Sequence, residues 1–113
     1  MGTEPIHRLK SLYFGPQALP HKDEILQAVT SRKPMPGIYL ITFAANGVDQ
    51  LDILPLYVAC LQMKKKGIPL LAGIGMGRED AFETVQQIAE DAYRATGSCH
   101  LQEYLLARDG EGA

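Results

Sequence analysis

Ile38-Tyr39-Leu40-Ile41-Thr42-Phe43-Ala44 is β-branched or aromatic almost throughout and apolar on both faces, the pattern of a strand inside a sheet rather than at its border. Arg32-Lys33-Pro34-Met35-Pro36-Gly37 precedes it, and two prolines with a glycine stop any helix arriving there. Upstream, His21–Val29 has acids in its first turn and apolar residues at 25, 26, 28 and 29, which predicts a short helix ending near Ser31. Before that helix, Arg8–Phe14 reads as a first strand ending at Gly15-Pro16.

Downstream, Ala45-Asn46-Gly47-Val48-Asp49 leaves the central strand through a turn. Asp52 is then the economical cap for a helix running to Lys66, with Pro55 in its first turn, where a proline is tolerated. Lys64-Lys65-Lys66-Gly67 carries the cations and glycine of a helix end, and Ile68–Met76 reads as another buried strand. Glu79–Thr96 is the strongest helical pattern, with Ala81, Phe82, Val85, Ile88, Ala89, Ala92 and Tyr93 on one stripe and Gly97 as its stop. Ser98–Leu106 is short enough for an edge strand, but Leu101, Tyr104 and Leu105 favour a helical turn or two packed back on the core.

The expected order is therefore βαβαβα in one domain spanning residues 1–113, with 1–7 and 108–113 as flexible ends. It is an α/β chain of three layers around a short parallel sheet. This organisation resembles Rossmann-like and flavodoxin-like domains at the level of the fold, which by itself implies no activity.

Composition narrows the setting. The chain of 113 residues is 46% hydrophobic and carries a formal charge of −2, enough apolar material for one core and no field to attract nucleic acid or an anionic membrane. Charge is uneven: residues 1–66 hold eight Lys/Arg against five Asp/Glu, and residues 67–113 hold three against eight. Its longest apolar run, around Ile53–Leu61, is far below the roughly 18 to 20 residues of a membrane span. Cys60 and Cys99 are the two cysteines, without a Cys-x-x-Cys spacing, and the polar start lacks a signal-peptide pattern, so a reducing cytoplasm is expected.

Ligands of open α/β sheets sit at the carboxyl ends of the strands. The expected turns there supply the candidate binding residues Gly15, Asn46, Gly47, Asp49, Gly75, Gly77 and Arg78. Gly77 and Arg78 precede a helix whose positive end favours a small anionic ligand. The dinucleotide fingerprint fails, because Arg78 stands where its third glycine belongs, and Glu79, Asp80 and Glu83 oppose a phosphate at the same helix end. Asp49, Asp52 and Asp80 are each explained as caps or first-turn acids, so no metal site is assigned. Cys99 and His100 are adjacent and point apart in regular structure, which assembles no nucleophile and base.

No motif implies a cofactor. The leading expectation is a non-enzymatic binding or regulatory module, self-associating as a homodimer, with its surface at the strand carboxyl ends. The alternatives are a small enzyme or enzyme subunit acting on a phosphorylated or nucleotide ligand, and a structural interaction subunit.

Overall fold

The computed structural model describes residues 7–44, 49–65 and 69–111. Among them the chain forms β1 (Arg8–Phe14), a 3-10 turn (Leu19–His21), α1 (Lys22–Thr30), β2 (Ile38–Phe43), β3 (Leu51–Pro55), α2 (Leu56–Lys65), β4 (Leu71–Met76), α3 (Arg78–Thr96) and α4 (Leu101–Glu111). The four strands make one mixed sheet in the order β1-β4-β2-β3. β1 and β4 are the parallel pair, and β2 runs antiparallel to both of its neighbours.

Helices cover both faces, as expected, but the element order is not βαβαβα, and the sheet is mixed rather than parallel because β2 runs against both neighbours. The additional strand, β3, takes residues assigned to the start of a helix. Leu51, Ile53 and Pro55 share one face with Phe43, Ile41 and Tyr39 opposite, while Asp52 and Leu54 take the other. Asp52 is thus an exposed strand residue rather than a helix cap. Pro55 ends the strand, and α2 starts at the next residue.

Two cores follow from the alternation. One face of the sheet packs Ile38, Leu40, Leu71 and Ile74 against Ile25 and Val29 of α1 and Leu56, Ala59 and Cys60 of α2. The other packs Leu9 and Ala72 against Ile88 and Ala92 of α3 and Leu101 and Leu105 of α4. Complete burial of a leucine or isoleucine contributes about 1.5–3 kcal/mol. These side chains therefore dominate what holds the layers together.

The sheet is irregular where α4 meets it. Between Arg8↔Leu71 and Tyr13↔Gly73, β1 advances five residues while β4 advances two. The backbone groups released by this bulge are taken up by α4: Asp109 Oδ1 accepts from the amides of Lys10 (2.7 Å) and Ser11 (3.1 Å), and Arg108 donates to the Ser11 carbonyl (3.0 Å). Arg108 and Asp109, expected in a flexible tail, are consequently part of a helix tied to β1. The predicted helix end at Lys66-Gly67 lies outside the described residues.

Candidate functional site

Antiparallel β2 divides the candidate residues between two ends of the sheet. The ends of β1 and β4 bring Gly15, Gly75, Gly77 and Arg78 together. Asp49 precedes β3 at the far end, because β2 runs opposite to β4. Asn46 and Gly47 lie outside the described residues.

At the β1–β4 end the centre is Asp80, in the first turn of α3 and only 4% exposed. Its Oδ1 accepts from the Gln17 amide (3.1 Å) and its Oδ2 from the Met76 amide (2.9 Å). Its carbonyl accepts from the Thr84 hydroxyl (2.7 Å). A side chain at Gly15 would overlap the Asp80 carboxylate, and one at Gly75 would meet the Ala81 backbone at 2.6 Å. These two glycines allow α3 and its carboxylate to lie against the strand ends. Gly77, at φ +95°, turns the chain from β4 into α3 and donates its amide to the Gly37 carbonyl (2.6 Å).

Asp80 therefore places a negative group of the chain itself among backbone amides that a ligand anion would otherwise use. Arg78 remains exposed, its guanidinium 5.5 Å from the centroid of the Phe82 ring.

Arg78 also borders a groove between β3 and α3. Tyr39, Leu51, Ile53 and Pro55 form its sheet side, and Phe82 and Val85 its helix side. Asp49 and Asp52 lie along it as well, and its volume is about 500 Å³. Phe82, expected in the core stripe, is 49% exposed here.

No protein-family model, curated protein or solved structure matches the chain. What the surface can do rests on its own residues.

The remaining candidates stay apart from this groove. Among the described residues no three His, Cys, Asp or Glu side chains are grouped to hold a metal ion. Cys99 is exposed, and its carbonyl accepts from the Gln50 side chain (2.7 Å). His100 Nδ1 lies 3.5 Å from Glu103, both well exposed.

One polar cluster had no signature in the sequence pattern. The Tyr13 hydroxyl donates to Asp91 Oδ2 (2.7 Å) and lies 2.9 Å from the Tyr104 hydroxyl, while Arg108 sits 4.5 Å above the Tyr13 ring. Burial, with the hydrogen bonds to Tyr104 and Asp91, pushes the Tyr13 phenol well above its ordinary value. It is a neutral phenol joining β1, α3 and α4, and only its partners' distance in sequence hid it.

Proposed function

We propose that this protein is a non-enzymatic binding or regulatory module, homodimeric, whose docking surface is the groove between β3 and α3. The observation that carries the reading is an apolar groove beside the outermost strand, reaching Arg78 at the strand carboxyl ends. Chemistry-bearing side chains nearby support it by their existing commitments. Asp80 holds two backbone amides, and Thr84 holds the Asp80 carbonyl.

The proposed setting is the cytoplasm, supported by two cysteines in the sequence without a Cys-x-x-Cys spacing. Among the described residues no helix is long and apolar enough to cross a membrane.

Sedimentation of the wild type and Phe82→Asp tests this reading. Phe82 is half exposed, so the substituted chain folds; its self-association is expected to weaken at least about tenfold, equivalent to about 1.4 kcal/mol. Thermal stabilisation of the wild type by a nucleotide, lost in Arg78→Ala, with unchanged self-association of Phe82→Asp, would instead favour the nucleotide or phosphorylated-ligand reading.

A further inference from the structure

The two edges of the sheet are finished differently. β1 is closed by Arg108 and Asp109 of α4. Among the described residues β3 is the border on the other side, and the ladder fixes which of its backbone groups point outward. Ala44 donates to the Gln50 carbonyl (3.0 Å), towards β3, whereas Phe43 donates the other way, to Leu70 beside β4 (2.9 Å). Antiparallel alternation then gives the bonded pairs Thr42–Asp52 and Leu40–Leu54 to the β2–β3 ladder. The N–H and C=O of Leu51 and Ile53 point off the sheet, while the Pro55 carbonyl is the first acceptor of α2. Pro55 stands where its missing N–H removes no bond to β2.

We propose that β3 pairs antiparallel with β3 of a second copy about a twofold axis at Ile53, joining two four-stranded sheets into one of eight. This rests on the homodimeric reading above and names its interface. Ile53 faces Ile53 of the second copy and exchanges two hydrogen bonds with it.

Charge selects this register. Slipping the axis to Asp52 would set the two Asp52 side chains directly opposite each other, a destabilising like-charge pair. With the axis at Ile53, Asp52 stands opposite Leu54. The groove is acidic where β3 begins, at Asp49, and basic beside its end, at Arg78. A twofold reversal brings each acidic start to the other copy's basic end.

Exposed apolar side chains gather on the elements that flank this strand. Phe82 lies on α3, and Tyr57 (62% exposed) and Leu61 (59% exposed) lie one turn apart on α2, which follows β3 directly. Leu51, Ile53 and Pro55 of both copies share one face in this pairing, so the two grooves become continuous.

Two variants of the full chain test the interface. In a Cys99→Ser background, Ile53→Cys places thiols on facing residues whose Cβ atoms are about 5.5 Å apart in a bonded antiparallel pair, within the span of a short bifunctional thiol reagent. That reagent is expected to convert most of it to a covalent dimer. Ile53→Pro removes only an outward N–H, and is expected to give a folded monomer by circular dichroism and sedimentation, with the dimer dissociation constant raised at least about tenfold. A dimer that survives Ile53→Pro while Ile53→Cys stays uncrosslinked overturns this interface and leaves the homodimeric reading standing. A wild type that is monomeric at about 100 μM, far above typical dissociation constants, overturns both. Should Ile53→Pro fail to fold, the crosslink alone decides.

Discussion

The carboxylate of Asp80 occupies the space in which a side chain at residue 15 would stand, so Gly15 and Asp80 are coupled sites. Gly15→Ala is expected to cost about 1–3 kcal/mol of overpacking, and Asp80→Ala about 2–4 kcal/mol, because it strips the partner from the Gln17 and Met76 amides. The double variant should be more stable than the sum of the two predicts, by at least about 1 kcal/mol. Urea unfolding of the four proteins measures the cycle. Strict additivity would mean that the contact carries no energy.

Gly75 meets backbone rather than a flexible side chain. Gly75→Ala should therefore push α3 from β4, costing about 2–3 kcal/mol, near the upper end of overpacking penalties. A denaturation midpoint within error of the wild type would contradict the close approach of helix and strand.

Tyr13 is held neutral by burial and by its bonds to Tyr104 and Asp91. Its raised folded value means that the stabilisation is complete below the unfolded phenol's value of about 10 and is lost progressively as pH rises above it. Thermal melts should show a steep alkaline loss in the wild type and a shallower one in Tyr13→Phe. At neutral pH the same substitution should cost about 1–2 kcal/mol for the lost hydrogen bonds. Identical alkaline profiles would rule out this linkage.

Asp109 closes the bulge of β1 with one oxygen on two amides. Asp109→Ala should accelerate hydrogen exchange at Lys10 and Ser11 while leaving β4 amides unchanged, because their bonds are within the sheet. Faster exchange spread evenly over the whole sheet would indicate global destabilisation instead.

The elements whose residues speak for themselves were legible in the sequence. The apolar run at Ile38–Phe43 became β2, and the periodic stretch after Gly77 became α3, ending at Gly97 with φ +75° and its amide on the Tyr93 carbonyl. β3 was not legible, because Asp52 before a proline looks the same as a helix cap and as an exposed edge residue. The pairing with β2 decides between them. Asp80 was read as one of several first-turn acids, since its burial depends on Gly15 and Gln17, more than sixty residues away in sequence. The candidate turn residues at 15, 75, 77 and 78 were brought together, whereas Asp49 was separated from them by the antiparallel course of β2.

Hydrogen exchange at the Ile53 amide tests the central claim most directly. The antiparallel ladder directs this N–H away from β2, so within one chain it faces outward and exchanges at close to the rate of an open amide. Above the dimer dissociation constant it should become protected at least about tenfold, and dilution should restore the fast rate. Fast exchange at Ile53 in a sample that sediments as a dimer would contradict pairing through β3.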